Sequence, residues 1–335
     1  MLPSPYSTVT GGRDASIKVV VGSTHLGEQF ARQLADTFPE IEFVAAYDEA
    51  AQVAASRDAD AFFGWPTRKV FVSASRLRWI ACPGMGIDRI VAVKEIVDSD
   101  VPVTNAPGPH VAPMADWVLG VMLALAHRLP DAIRDQQTKR WPTAEYEGKV
   151  VELAGTTMGV FGLGAIGRAV ATRAAGFGMK VVAVDPAPAE VPPVVGACWG
   201  TERLDDLARQ STWLVVTAPI KPETRHAIDR RRLALMAPRS YVIVASRGGI
   251  VDESALASSL ASGHLAGAAL DATESEPLAG DSPLWAMPNV IITPHASALS
   301  PQLYEGRRQI FVDNLRRFIA GRPLAHVCDK HGMAT

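Results

Sequence analysis

Val160-Phe161-Gly162-Leu163-Gly164-Ala165-Ile166-Gly167 decides how the rest of the chain is read. Three glycines stand in GxGxxG spacing, after the apolar run 157–161 and before a run rich in Ala and Val. That context gives the spacing its meaning. Gly162 permits the tight turn from strand to helix, Gly164 lets backbone approach a pyrophosphate, and Gly167 lets the helix pack closely on the strand. Leu163, Ala165 and Ile166 complete the turn and open the helix, whose free N–H groups and partial positive charge face the phosphates. The next apolar run, 180–184, ends at Asp185, 18 residues past Gly167. A carboxylate at about that distance accepts hydrogen bonds from the ribose hydroxyls of NAD and repels a 2′-phosphate. No cation occurs among Pro186, Ala187, Pro188 and Ala189, so the stretch predicts NAD over NADP. The alternative is a glycine turn that holds no nucleotide, with Asp185 a solvated strand end.

Outward from this motif the same alternation recurs. Apolar runs at 157–161, 180–184, 213–217, 241–245, 266–270 and 290–293 read as buried strands, most of them separated by helical patterns. A second series lies upstream, with strands at 17–22, 41–45, 61–63, 79–81 and 101–104 and a helix at 26–38. The fold class is α/β, with two doubly wound parallel-sheet domains: a Rossmann dinucleotide domain and a flavodoxin-like domain. A long apolar helix is expected from Val111 to about Arg128, an irregular connection over 141–156, and a closing helix over 301–320, ended by Gly321 and Pro323. The first fourteen or so residues read as a loose leader.

Composition narrows the function classes. The chain has 335 residues, enough for two domains, and 48% of them are hydrophobic, which excludes a disordered chain. Lys plus Arg number 33 against 35 Asp plus Glu, so charge gives no case for nucleic acid or an anionic membrane as partner. The longest apolar run, 118–126, is far short of the roughly 20 residues that span a bilayer. Met1 to Ser16 shows no basic-then-apolar signal pattern, and three scattered cysteines (Cys82, Cys198, Cys328) suit a reducing compartment, so a cytoplasmic protein is expected. Arg230–Arg232, the densest basic cluster, reads as a solvated helix face rather than a phosphate site. His326-Val327-Cys328-Asp329-Lys330-His331 is rich in ligand atoms but reads as a disordered or surface tail, so no metal site is expected. Cys82 reads as a buried strand-end cysteine, with a reactive thiol as the alternative.

Several further motifs occur in order: Gly84-Met85-Gly86-Ile87-Asp88, Ser246-Arg247-Gly248-Gly249, Asp271 followed by Glu276-Pro277-Leu278, and Pro294-His295. Together with the glycine turn and Asp185 they resemble the D-isomer-specific 2-hydroxyacid dehydrogenases, NAD-dependent oxidoreductases, over nearly the whole chain after the leader. The resemblance implies hydride transfer between NAD(H) and a D-2-hydroxy acid or 2-oxo acid. Oxidation of such a substrate sends the C2 hydride to the nicotinamide and the hydroxyl proton to a base. The substrate is an anion, so a cation must hold it. His295, at the carboxyl end of a strand, suits the base. Glu276 would fix its tautomer. Arg247, also at a strand's carboxyl end, offers a planar fork for a carboxylate and can polarise a C2 carbonyl. By resemblance Arg247, Glu276 and His295 are the catalytic set and also, for Arg247, a substrate-binding group. Asp271 matches the position that orients the nicotinamide carboxamide. The resemblance also implies that Gly84, Met85 and Gly86 form the loop that receives the substrate carboxylate; the alternative is an ordinary strand–helix turn with Asp88 capping the helix.

The resemblance further implies residues 1–108 with 300–335 as a substrate domain and 109–299 as the NAD-binding domain, with the active site in a cleft between them. It also implies a homodimer joined through an arm over 111–150. Trp65, Met85 and Trp141 are candidate pocket walls suited to a small or apolar C3 substituent, or else packing and interface aromatics. Two positions depart from the family pattern. Val244 stands where Asn is common, and Ala272-Thr273 where Val-Phe is frequent, which bears on nicotinamide contacts. Glu276 stands where the formate-oxidising branch has an amide, which argues against formate. Two alternatives stay open: a dehydrogenase-like NAD-sensing corepressor, against which the short tails argue, and an enzyme of this architecture acting on another anion such as phosphite.

Overall fold

Short, almost wholly apolar strands can only be buried on both faces, and helices cover both faces of each of the two sheets in this computed structural model. The structure describes residues 16–331; the loose leader read over the first fourteen or so residues lies outside these. By contacts the chain divides into one unit of Met1–Pro107 with Tyr304–Thr335 and another of Gly108–Leu303.

The first unit contains β1 (Lys18–Val21), β2 (Glu42–Ala45), β3 (Ala61–Phe63), β4 (Trp79–Ala81) and β5 (Val103–Thr104). They pair in parallel in the order β2-β1-β3-β4-β5, the flavodoxin-like arrangement. The helix read over 26–38 is interrupted. Gly27 at φ 97° closes a 3-10 turn, Thr24–Leu26, and the α-helix runs Phe30–Thr37. The helix Pro301–Ile319 packs on one face through Phe311 and Leu315. Phe311 stacks on Trp79 at 5.4 Å and meets Phe63 and Phe30 edge-on. The segment after this helix lies at the surface and is held there. Val327 bridges Thr104, the Cys328 N–H donates to Val103 O at 2.8 Å, and Lys330 Nζ donates to the carbonyls of Ile96 and Val101.

The second unit contains β6 (Thr157–Phe161), β7 (Lys180–Val184), β8 (Val195–Trp199), β9 (Trp213–Val216), β10 (Ser240–Val244), β11 (Leu265–Leu270) and β12 (Val290–Ile292). All pair in parallel, in the order β12-β11-β10-β9-β6-β7-β8. Read from β8 inward this is the 3-2-1-4-5-6 order of the Rossmann fold with one strand added, and its direction reverses between β6 and β9. β8 has no counterpart among the strands read from sequence. It is an edge strand, only one of its five residues is buried, and Gly196 interrupts its apolar pattern. The long apolar helix spans Val111–Ala126. A separate helix, Leu129–Gln137, begins after Arg128 turns into the left-handed region at φ 55°. Arg231 and Arg232 of the basic cluster both pair with Asp205, so this helix face is an ion-pair network.

The aromatic contacts of Phe311 make it the anchor of the closing helix. Phe311→Ala is expected to destabilise the first unit by about 3–5 kcal/mol. Denaturant unfolding should show one transition moved and the other unchanged; no movement would mean that the helix is held elsewhere.

Candidate functional site

Parallel register sets this site before any side chain is considered. Phe161 is level with Val216, Val216 with Val244, Val244 with Leu270, and Leu270 with Ile292. The residues that follow each of these therefore share one carboxyl edge. They include Gly162, Arg247, Asp271 and His295, and such edges are where ligands bind in open α/β sheets.

The glycine turn is built as its spacing requires. Gly162 has φ 98°, and a Cβ there would lie 2.4 Å from the Ala218 nitrogen. A Cβ on Gly167 would lie 2.1 Å from the Gly162 oxygen, so the helix Ala165–Gly176 could not sit this close to its strand with any other residue. Above Gly164 nothing lies within 4 Å of a Cβ position, which leaves room for a phosphate against bare backbone. Gly164 caps the helix without a side-chain hydrogen bond. Asp185 is tied to the turn. Its Oδ2 accepts from the Leu163 N–H at 2.7 Å and its Oδ1 from the Ala187 N–H at 2.9 Å. These residues fit a dinucleotide: an open amide cradle at a helix start, with a carboxylate at the end of the next strand. Arg168 was not singled out from sequence. It directly follows Gly167, and its Nη1 donates to the Leu163 carbonyl at 3.2 Å, beside the cradle.

Asp271 directly follows β11 and is only 2% exposed. Its Oδ1 accepts from Thr293 Oγ1 at 2.5 Å, from the Ala296 N–H at 2.9 Å and from the Ser297 N–H at 3.1 Å. Its backbone oxygen takes the His295 N–H at 2.9 Å. These bonds enclose His295, which adopts φ 52°, a left-handed conformation uncommon outside glycine. The sequence reading gave Asp271 to the nicotinamide; the structure gives its carboxylate a second task, holding the histidine turn.

The His295 ring meets Glu276, with Nδ1 2.9 Å from Oε2 and 3.1 Å from Oε1. A carboxylate only accepts, so Nδ1 carries a proton and donates; in the neutral ring this tautomer leaves the lone pair on Nε2. Both side chains are close to half exposed. Arg247 follows β10, and its Nη1 donates to the Ser246 carbonyl at 2.8 Å. Its loop packs on the loop before Glu276, where a Cβ on Gly248 would lie 1.9 Å from the Thr273 carbonyl carbon. A second pin joins the same two loops, since the His226 N–H donates to Gly249 O at 2.7 Å while His226 Nε2 lies 3.0 Å from Glu274 Oε1. His226 and Glu274 were not read from sequence, because neither stands in a motif and 48 residues separate them.

In the first unit, Gly84, Met85 and Gly86 follow β4. Their three carbonyls accept from the Ala106 N–H at 2.9 Å, Asn105 Nδ2 at 2.7 Å and the Cys82 thiol at 3.5 Å. Ile87, not Asp88, occupies the N-cap position of the following helix. Met85 is exposed. Trp65 stands beside the loop, with a ring carbon 3.4 Å from a Cβ position on Gly84. Burial pushes the Cys82 thiol up to about 12, which keeps it protonated and argues against the reactive-thiol reading. Trp141, the third candidate wall, is 93% exposed. No group of three or more His, Cys, Asp or Glu able to hold a metal ion occurs among the described residues. No helix among them is long and apolar enough to cross a membrane.

Residues 119–297 match the family described as D-isomer specific 2-hydroxyacid dehydrogenase, NAD binding domain. The chain belongs to that family. Among similar proteins, the (S)-sulfolactate dehydrogenase of Chromohalobacter salexigens is 36% identical over 76% of this chain and 82% of its own length. The D-3-phosphoglycerate dehydrogenase of Methanocaldococcus jannaschii is 34% identical over 76% of this chain. The chain spans about half the length of that relative, 48%. A D-isomer specific 2-hydroxyacid dehydrogenase from Xanthobacter autotrophicus Py2, solved with NADPH and MES, superposes with a TM-score of 0.80 at 31% identity, covering 95% of this chain and 99% of that one.

The Asp271 carboxylate is the checkable element of this geometry. Asp271→Asn replaces one acceptor with a donor that faces N–H groups, and is expected to cost about 1–3 kcal/mol. Chemical denaturation measures it, and an unchanged stability would remove Asp271 from its role in the turn.

Proposed function

We propose that the protein is an NAD-dependent oxidoreductase that interconverts a D-2-hydroxy acid and its 2-oxo acid. The observation that carries this reading is the His295–Glu276 hydrogen bond of 2.9 Å at the carboxyl edge of the dinucleotide sheet. It supports an imidazole whose Nε2 is an acceptor, which is the state a general base needs. When bound, the nicotinamide supplies the hydride chemistry. In the oxidative direction His295 Nε2 takes the hydroxyl proton as the C2 hydride leaves and the C2 carbonyl forms. In the reductive direction the imidazolium returns that proton to the C2 oxygen. Glu276 holds the ring and balances the charge that His295 gains. Arg247 holds the substrate carboxylate and polarises the C2 oxygen, and Asp271 orients the carboxamide. In the first unit, the loop Gly84-Met85-Gly86 offers backbone N–H groups to an anion, its carbonyls being held by its own unit.

The preference for NAD rests on Asp185, whose Oδ2 is anchored at the cradle by the Leu163 N–H and whose Oδ1 is held by the Ala187 N–H, and which would meet a 2′-phosphate with like charge. A homodimer is the assembly of this reading. Leu129, Ile133, Trp141 and Val150 are large apolar side chains exposed along the segment expected to serve as its arm. The cytoplasm, with reduced cysteines, is its setting.

Screening 2-oxo acids for NADH consumption tests the reaction class, and no consumption with any of them would refute it. With a substrate in hand, His295→Ala is expected to lower kcat about 100- to 10,000-fold; an unchanged kcat would remove His295 from proton transfer. Asp185→Ala is expected to narrow the ratio of kcat/KM for NAD over NADP. The same ratio in the variant would exclude the ribose contact.

A further inference from the structure

The first unit contains a guanidinium that the proposed reaction does not use. Arg307, on the helix Pro301–Ile319, is 8% exposed. Its Nη1 donates to His25 Nε2, and its Nε has no hydrogen-bond partner among the described residues. The other groups that bear on its charge are the Tyr304 phenol and the Cys82 thiol, neither of them a carboxylate. His25 is held down at about 4, by burial first and by Arg307 second, so at neutral pH it is an uncharged acceptor that orients the guanidinium. A buried cation without a countercharge is a costly arrangement that folding alone does not call for.

Its surroundings lead to the glycine loop. A small cavity beside Arg307 is also lined by Cys82, Pro83, Asn105 and Ala106. Asn105 and Ala106 are the residues that hold the Met85 and Gly84 carbonyls. On the other side, the His25 ring meets Trp65 edge-on at 5.5 Å, and Trp65 abuts Gly84. The Arg89 guanidinium lies over the same indole at 5.9 Å. Trp65, expected as an apolar wall, thus has an imidazole at its edge and a cation over its ring.

We propose that Arg307, oriented by His25, is an anion-binding group for a second negatively charged substituent on a substrate seated at the Gly84-Met85-Gly86 loop. The substrate class is then 2-hydroxy and 2-oxo acids that carry a carboxylate, sulfonate or phosphonate beyond C2. This rests on the dehydrogenase reading for the identity of the loop, and on Arg307 and its neighbours for the second charge.

The test compares matched substrates on the wild type, Arg307→Met and Arg307→Lys. Oxaloacetate, 3-sulfopyruvate and 3-phosphonopyruvate are set against 2-oxobutanoate, and the preferred arm identifies the anion. The wild type should favour at least one anionic member. Arg307→Met should lose about 10- to 100-fold in kcat/KM on that member while 2-oxobutanoate changes little, and Arg307→Lys should recover part of the loss. The Met variant should melt at the same or a higher temperature, because it removes an unpaired buried charge. Equal losses on anionic and neutral substrates, or a lower melting temperature with no change in discrimination, would overturn the proposal. A second arm needs no turnover: calorimetric titration of malonate and acetate into the protein with NADH. Tighter malonate binding that disappears in Arg307→Met supports the site even if no 2-oxo acid is reduced, in which case only the dehydrogenase reading fails. Equal malonate and acetate binding in the wild type overturns the site while leaving that reading intact.

Discussion

A carboxylate out of water is tolerated only when its oxygens are met by donors, and Asp271 meets that condition by organising the chain around it. Two successive amides and a threonine hydroxyl converge on its oxygens. Ala296 and Ser297 can both reach it only if the chain doubles back at His295, and the left-handed backbone there is the visible consequence. A non-glycine residue in that region is held by its surroundings. The position of the imidazole is therefore set by a buried carboxylate just past the end of β11, and Glu276 needs only to fix the ring's rotation and tautomer.

The same logic applies across the sheet edge. Every strand of the second unit runs in one direction, and helices cover both faces, so the carboxyl edge is where its chemistry-bearing residues converge. Two close approaches keep that edge tight. Gly162 lets β6 end against Ala218, and Gly248 lets the Arg247 loop lie against Thr273. At both places a methyl group would have to displace backbone. Glycine is thus used at this edge for proximity as much as for its dihedral freedom, and Gly164, with open space above it, is the exception that faces outward.

How much of this the sequence disclosed depends on how local each feature is. The glycine turn, Asp185 and the central strands are local patterns, and they are legible because a buried parallel strand must be apolar throughout. β8 was not legible, because an edge strand with one covered face and a glycine carries no such pattern. The end of the long helix was read at about Arg128, two residues past its last residue Ala126, but the helix Leu129–Gln137 that follows was not read, and only the backbone shows the left-handed turn at Arg128 between them. Arg247, Glu276 and His295 could be named from motif order, but not the groups that pin their loops. His226 and Glu274 meet only through the fold, and so do His25 and Arg307, which lie 282 residues apart.

Asp271 and Arg307 also make an instructive contrast, since both are charged and almost wholly buried. Asp271 has donors for its oxygens, and its burial has a structural consequence visible in the backbone beside it. Arg307 has one neutral imidazole acceptor and an idle Nε, and the aromatic anchor one helical turn away, Phe311, would hold the helix without it. A buried polar group that is fully met accounts for itself through the fold. One left partly unmet, in a segment already secured by apolar contacts, is a stability cost retained near the glycine loop that follows β4. Natural proteins carry such costs where function requires them, and that asymmetry separates the two residues more sharply than burial or charge alone.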